Sequence, residues 1–307
     1  MRILVLGGGG FIGSTVVSKL LDQGYRVRIF QRTRKYKNVY KQYSENIEWA
    51  IGEYSNQKDI ENALNDIDVV IHLISTTLPR ISIEEMEFDI KSNVISTVGL
   101  LVAMVSKGIS RIIFGSSGGT IYGVPKYLPL DEEHSTEPLV SYGITKLAIE
   151  KYLLLFQKLH GIRSIVLRIS NAYGEGQKID TGQGVVGVFI KKALNKNPIE
   201  IWGDGSVIRD YIYVGDVADA FVKAVQYEGR KSIFNISSGI GMSLNDVIEK
   251  LEISIGAPIT RTYHNSRIFD VGVNVLSNKL AMDELDWHPK TTFENGLAKT
   301  IKFFSNA

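Results

Sequence analysis

Met1-Arg2-Ile3-Leu4-Val5-Leu6-Gly7-Gly8-Gly9-Gly10-Phe11-Ile12-Gly13 heads the chain, and its reading decides the fold. Ile3–Leu6 is a short, wholly apolar run, as expected of a strand buried on both faces. Glycines stop it at once, so it is too short for the hydrophobic region of a signal peptide. From Ile12 to Gln23 the apolar residues recur at helical spacing. Strand, glycine loop and helix therefore follow one another in order. Gly7, Gly10 and Gly13 have the spacing that permits a tight turn, a close approach of backbone to a pyrophosphate, and packing of the helix on the sheet. The helix N-terminus adds free N–H groups and a favourable dipole for phosphate. The competing reading is a glycine-rich turn without a ligand, and the strand–loop–helix order weighs against it.

The alternation continues outward. Val27–Phe30, Val69–Leu73, Ile112–Phe114 and Ser164–Leu167 read as strands, and Asp59–Leu64, Ser92–Lys107 and Tyr142–His160 as helices. Repeated strand–helix units predict an α/β fold with a Rossmann-type, doubly wound parallel sheet and right-handed crossovers. After about residue 170 the pattern loosens. Asn171–Gln183 reads as a loop. Helices are expected at Gly187–Asn195, Asp216–Gln226, Leu244–Leu251 and Asn278–Leu285, and strands at Ile199–Trp202 and Ile233–Ile236. The expected division is a dinucleotide-binding domain over 1–170, with a return segment around 207–238, and a smaller α/β substrate domain made mainly of 171–307.

Of the 307 residues, 44% are hydrophobic and 22% charged, an ordinary balance for a globular protein. The net charge of +2, with no basic cluster longer than Arg32 to Lys37, argues against nucleic acid as a partner. The absence of cysteine excludes disulfides, thiolate catalysis and thiolate zinc sites. The five histidines are scattered without ligand spacing, so no metal is expected. No stretch reaches the ~18 apolar residues of a membrane span, and a cytoplasmic protein is expected.

The second strand of a dinucleotide-binding unit usually ends in an acid that bonds the adenosine ribose. Here Gln31 occupies that place, and Arg32, Arg34 and Lys35 follow. Loss of the carboxylate and gain of cations ease binding of a 2′-phosphate, so NADP stands beside NAD, with NAD slightly ahead. The alternative is that Gln31 still bonds the ribose and the cations form a solvated face.

Ser141-Tyr142-Gly143-Ile144-Thr145-Lys146 sets Tyr142 and Lys146 one helical turn apart on the same face. A phenol with a pKa near 10 is a poor base at neutral pH. A neighbouring ammonium and a cationic nicotinamide ring both lower that pKa. Tyr142 is then suited to exchange a proton with a sugar hydroxyl during hydride transfer. Such a pair taken alone is most often surface decoration; its position downstream of a dinucleotide loop reverses that reading.

With these residues in place, the chain resembles the extended short-chain dehydrogenase/reductase family, in its NAD-dependent epimerase/dehydratase branch, and is most similar to the UDP-glucose 4-epimerases. The likeness runs through the glycine loop, Ile71-His72-Leu73, Asn93, Ser116-Ser117 to Tyr122-Gly123, and the Tyr142/Lys146 pair. It continues in Arg168 to Gly174, Arg209 to Val214, and Leu285-Asp286-Trp287-His288-Pro289. The resemblance implies that Phe11 and Ile12 lie beside the cofactor pyrophosphate and that Glu53 and Tyr54 lie near its adenine. It places Leu73, Asn93 and Ser116 along the cofactor groove and Lys146 on the nicotinamide ribose. Asn171, Trp202, Arg209, Arg267 and Asp270 would hold the nucleotide diphosphate of the sugar. The arginines suit that task because a guanidinium bonds two phosphate oxygens at once. Trp202 reads equally as a base-stacking residue or a core aromatic. Arg209 and Arg267 have surface ion pairs as their alternative.

One departure matters. Members of the family usually carry a catalytic Ser or Thr four residues before the tyrosine matched by Tyr122, and here that place is Gly118. Ser117 or Thr120 would then supply the hydroxyl that bonds the sugar. The Asp-Glu pair of the dehydratases is also missing, which ranks dehydration low. The leading expectation is a 4-epimerase of a UDP-hexose or UDP-N-acetylhexosamine: Tyr142 takes the C4 hydroxyl proton, the C4 hydride leaves, and the 4-keto sugar is reduced again on its other face. The second is an NAD(P)H-dependent reductase of a nucleotide-linked 4-keto-6-deoxyhexose. The third, a dinucleotide-binding regulator without catalysis, is opposed by the intact Tyr142/Lys146 pair. The resemblance also implies a homodimer through helices near Ser92–Lys107 and Tyr142–His160, to which Leu147, Ile149, Leu153 and Leu154 would add apolar surface, although a core-facing stripe has the same pattern.

Overall fold

The computed structural model describes residues 1–33, 40, 46–77, 81–177, 184–265 and 271–306. The first half runs β1 (Arg2–Leu6), α1 (Phe11–Asp22), β2 (Arg26–Gln31), β3 (Ile47–Ile51), α2 (Gln57–Ala63), β4 (Val69–His72), α3 (Ile81–Glu84) and α4 (Met86–Asp89). A π-helical turn (Ile90–Ile95) leads into α5 (Ser96–Ser106), followed by β5 (Arg111–Ser117), α6 (Ser141–His160) and β6 (Arg163–Ile169). Beyond it come β7 (Asn171–Tyr173), α7 (Val185–Leu194), β8 (Ile199–Trp202), β9 (Ile208–Tyr213), α8 (Val214–Gln226) and β10 (Ile233–Ile236). The chain closes with β11 (Gly241–Ser243), α9 (Leu244–Ile255), β12 (Arg261–His264), β13 (Val273–Asn274), α10 (Lys279–Leu285) and α11 (Phe293–Ser305).

β10-β6-β5-β4-β1-β2-β3 form one parallel seven-stranded sheet, so the strand order reverses between β1 and β4. In open α/β sheets that reversal is where ligands bind, outside the C-terminal ends of the strands. The apolar run that opens the chain serves both faces. Ile3 and Val5 pack with α1 and α8 in one core layer, and Leu4 and Leu6 pack with residues of α2, α5 and α6 in the other. This alternation explains why β1 has no polar side.

A four-stranded group (β11-β9-β13, with β7 on β9) and the pair β12-β8 lie outside the main sheet. They enclose a third core of Tyr173, Phe189, Ile190, Ile199, Ile201 and their neighbours. The segment read from sequence as a loop therefore begins with a strand: Asn171–Tyr173 pairs in parallel with Tyr211–Tyr213 of β9. Residues 178–183 of that segment lie outside the described residues.

Two further expectations change. The helical run Met86–Ser106 is long and apolar enough to cross a membrane by length and composition. It is nonetheless a core helix on one side, since Thr97, Leu100, Leu101, Ala103 and Met104 are buried against the sheet layer. On α6, Ile149 and Leu153, readable from sequence as apolar surface or as a core-facing stripe, are buried in the same core. The exposed apolar positions are Ile144, Tyr152, Leu155 and Leu159 instead.

Candidate active site

The glycine loop is built to bring backbone close. Gly7 adopts φ +87°, a left-handed conformation that side chains disfavour, and its carbonyl accepts the Gly10 N–H at 2.9 Å. A Cβ on Gly13 would stand 2.1 Å from that carbonyl, so only glycine lets α1 begin here. Gly10 caps α1 without a side-chain hydrogen bond and is exposed. The free N–H groups of the first turn are thus open to an anion. Phe11 and Ile12 follow at this mouth, both half-buried. Tyr40, which sequence reading missed, closes the loop from behind: its buried hydroxyl donates to the Gly8 carbonyl at 2.7 Å.

At the end of β2 the Gln31 side-chain amide donates to the Thr33 carbonyl, and Arg32 is exposed beside it. Arg34 and Lys35 lie outside the described residues. Glu53 is exposed on the next rim. Tyr54, beside it, is buried, with its hydroxyl 3.0 Å from His72 Nε2 and 2.9 Å from Thr97 Oγ1. The same burial, with the Lys146 charge adding to it, pushes His72 down to about 3, so His72 is neutral. Asn93 is likewise buried and fully engaged. Its Oδ1 accepts the Thr76 N–H at 3.1 Å and its Nδ2 donates to Asp89 Oδ1 at 2.8 Å. It fixes the loop after β4 and does not present a free amide. Leu73 packs over Gly115, where a Cβ would meet it at 2.8 Å. Ser116, expected in the groove, turns its hydroxyl to the buried Glu150.

Tyr142 and Lys146 stand one turn apart on α6, as their spacing requires. The Lys146 ammonium is buried, donates to the Gly115 carbonyl at 2.9 Å, and lies 5.7 Å from the centroid of the Tyr142 ring. Burial lowers its pKa to about 8, against the pull of Glu150 and Asp89. The phenol behaves differently from the expectation. Burial pushes Tyr142 up to about 12; a hydrogen bond from Ser75 favours the phenolate, and the Asp89 charge disfavours it. Lys146 therefore does not lower the phenol through direct contact. Ser75, in the loop after β4, is a partner of Tyr142 that no local motif announces.

The turn Gly118–Thr120 borders the same helix: a Cβ on Gly143 would meet the Thr120 carbonyl at 2.7 Å. Thr120 Oγ1 is buried and has no hydrogen-bond partner among the described residues. Ser117 ends β5 and is half-buried. Gly118 has a physical cause. A Cβ there would lie 2.4 Å from Leu276 Cδ1 and 3.1 Å from the Arg168 carbonyl. The fully buried Leu276 thus fills the space of the missing Ser or Thr. Gly118→Ser should lower stability by about 1–3 kcal/mol through overpacking, read from the urea midpoint. A parental midpoint would show that Leu276 yields freely.

On the other side of the turn, Asn171 donates from Nδ2 to the Asp210 carbonyl at 3.1 Å, and its Oδ1 lies 3.9 Å from a Cβ placed on Gly119. Asn274, not foreseen from sequence, donates to the Gly118 carbonyl at 3.3 Å and keeps a buried Oδ1 unpartnered among the described residues. Arg209 is half-buried on β9 and donates from Nη1 to the Ile208 carbonyl. Trp202 is no core aromatic: it is exposed and stacks on His264, with centroids 5.4 Å apart at 28°. Arg267 and Asp270 lie outside the described residues. The structure thus brings Ser75, Tyr142 and Lys146 together, and Thr120, Asn171 and Asn274 around Gly118–Gly119. Among the described residues no cluster of metal-ligating side chains occurs.

A sequence profile of the NAD dependent epimerase/dehydratase family matches residues 3–237. The chain belongs to this family. The Thermotoga maritima UDP-glucose 4-epimerase, solved with UDP-glucose, is 34% identical with a TM-score of 0.93, over 100% of this chain and 99% of its own. The Thermus thermophilus UDP-glucose 4-epimerase, solved with NAD, is 30% identical with a TM-score of 0.92, over 100% of both chains. The dTDP-4-dehydro-6-deoxyglucose reductase of Escherichia coli is 35% identical over 98% of this chain and 96% of its own length. As an epimerase/dehydratase-family member the chain is an NAD-dependent enzyme. Its own residues fit that cofactor: glycines at 7, 10 and 13 keep the loop backbone bare at those positions, and the N-terminus of α1 has no side-chain cap.

Proposed function

We propose that this chain is a cytoplasmic nucleotide-sugar 4-epimerase acting on a UDP-hexose or UDP-N-acetylhexosamine and supplying sugar nucleotides for polysaccharide synthesis. The observation that carries this reading is the pairing of a half-buried Tyr142 with a buried Lys146 beside Ser75, in a chain that matches a UDP-glucose-bound 4-epimerase along its whole length. Bound NAD supplies a hydride acceptor and donor together with a positive charge beside the phenol. Gly7, Gly10, Phe11, Ile12 and Gly13 would hold its pyrophosphate, and Gln31 its ribose. Arg32 and Glu53 stand at the rim, and Leu73 with Lys146 on the nicotinamide side. Asn93 and Ser116 act one step back, by fixing the loop after β4 and the Glu150 carboxylate.

Tyr142 Oη takes the proton of the sugar C4 hydroxyl and later returns it. Thr120, and Ser117 behind it, offer the hydroxyl that orients the sugar. Asn171, Trp202, Arg209, Arg267 and Asp270 are assigned to the nucleotide diphosphate. In this reading residues 1–170, with a return segment around 207–238, form the dinucleotide-binding part, and 171–307 form most of the sugar-nucleotide part. The exposed strip Ile144, Tyr152, Leu155 and Leu159, together with Ile95 and Val102 of the neighbouring helical run, supports a homodimer.

Purified protein given NAD and either UDP-glucose or UDP-N-acetylglucosamine should convert them to the galacto forms without net change in the cofactor. The alternative reading is net reduction of a 4-keto-6-deoxy sugar, the reaction named for the Escherichia coli relative, and the several 4-epimerase relatives weigh against it. Strict need for stoichiometric NADPH with such a substrate, and no epimerisation, would establish that reading instead.

A further inference from the structure

Asp89 is a fully buried carboxylate (0% exposed) that the proton transfer described above does not use. It ends α4 and immediately precedes the π-helical turn Ile90–Ile95. Such turns recur at functional sites because the extra residue redirects side chains. Its two oxygens gather donors from three separate segments. Oδ2 accepts the hydroxyls of Ser141 at 2.9 Å and Thr145 at 3.3 Å, both in the first turns of α6. Oδ1 accepts the Thr77 hydroxyl and the Asn93 amide, the latter at 2.8 Å. Asn93 doubles the tie to the loop after β4 by accepting the Thr76 N–H. The segments joined in this way carry the two groups that meet at the phenol: Ser75 on the loop and Tyr142 on α6. A buried carboxylate is tolerated only where donors fill its lone pairs, and four do so here.

We propose that Asp89 is a positioning residue of this site, clamping the Ser75–Thr77 loop to the first turn of α6 so that the Ser75 and Tyr142 hydroxyls are held against each other. The proposal rests on the reading of Tyr142 as the proton carrier. It explains why a carboxylate sits in an apolar layer: hydroxyl and amide donors on three unconnected segments need one acceptor with four lone-pair sites. The titratable and charged groups facing this cluster are Tyr142, Lys146 and Glu150 on α6 and His72 on β4, with Arg168 of β6 paired to Glu150. The negative charge of Asp89 disfavours the phenolate, so its removal moves the ionisation of Tyr142 to lower pH.

The test uses Asp89→Asn, which keeps the shape and loses the charge, and Asp89→Ala, which loses all four bonds. Asp89→Asn should move the rising limb of the kcat pH profile down by about one pH unit, with KM for the UDP-sugar unchanged. Asp89→Ala should cut kcat by roughly 10- to 100-fold. Hydrogen exchange of the amides at 75–77 and 141–145 should speed up in both variants, and this readout does not depend on which substrate is turned over. An unmoved pH limb in Asp89→Asn, together with parental exchange in both variants, overturns the proposal. If exchange speeds up but the parent protein epimerises no UDP-sugar, the clamp stands and the functional reading falls.

Discussion

Tyr142→Phe should lower kcat by roughly 10²- to 10⁴-fold, the usual worth of a positioned acid–base group, while leaving KM for the UDP-sugar nearly unchanged. The phenyl ring fills the same volume, so the loss is that of one oxygen. Lys146 keeps its bond to the Gly115 carbonyl and its place over the Phe114 ring, neither of which needs the phenol. The fold and the glycine cradle should therefore survive, and NAD binding with them. The pH profile sharpens the test. Burial holds the parent phenol at about 12, so its ionised fraction and the rate should climb through the neutral and alkaline range. A group with a raised pKa that must lose its proton to act gives a limb that rises with pH, and that limb should vanish in Tyr142→Phe. A variant with parental kcat and an intact limb would move the proton carrier elsewhere, with Ser75 and Thr120 next in line.

Arg168→Ala should destabilise the protein by about 3–5 kcal/mol, because it strands a buried charge. The Arg168 guanidinium donates to both oxygens of Glu150, at 2.8 Å in its shortest bond, with side-chain exposures of 4% and 1%. It also donates to the Tyr122 hydroxyl at 3.0 Å, which passes its own proton to Asn235 Oδ1 at 2.6 Å. β6, β10, the Tyr122 segment and α6 meet in this network, and Ser116 completes it from β5. Without the guanidinium, Glu150 keeps only the Ser116 hydrogen bond among those of the described residues. Arg168→Met combined with Glu150→Gln should cost less than Arg168→Ala by itself, since the stranded charge is then gone. Chemical denaturation of the parent and both variants measures this. A loss below about 1 kcal/mol for Arg168→Ala would mean that the buried pair carries little of the stability.

The parallel sheet was legible because its inner strands are apolar on both faces and its long helices are periodic. What escaped were elements whose signal is not local. Ile47–Ile51 is an edge strand with half-exposed residues on both sides, so it lacks the apolar run. Asn171–Tyr173, Gly241–Ser243 and Val273–Asn274 are two or three residues long, and pairing with β9 alone makes them strands. The site divides in the same way. Tyr142, Lys146 and the glycine loop lie on contiguous motifs and can be proposed from the sequence alone. Ser75, Asp89 and Asn274 have ordinary neighbours in sequence and acquire meaning only when the chain brings β4, α6 and β13 together. The contacts of Tyr54 are of the same kind: its hydroxyl meets Thr97 and His72, which its own neighbours in sequence do not announce.

Leu276 does more than fill the space beside Gly118. It forms a parallel bridge with Leu130, and the two are buried with Ile121 and Tyr122 in a small cluster of their own. A serine at 118 collides with Leu276, and trimming Leu276 alone opens a cavity in that cluster, at about 2–5 kcal/mol for a Leu→Ala change. Each substitution is harmful without the other, so the two positions are coupled in the sense that their effects do not add. A lineage with glycine here is held to it by a stability valley between two workable states. Its catalysis must then be refined by other hydroxyls already at the site, because the route back to a serine at 118 needs two changes at once.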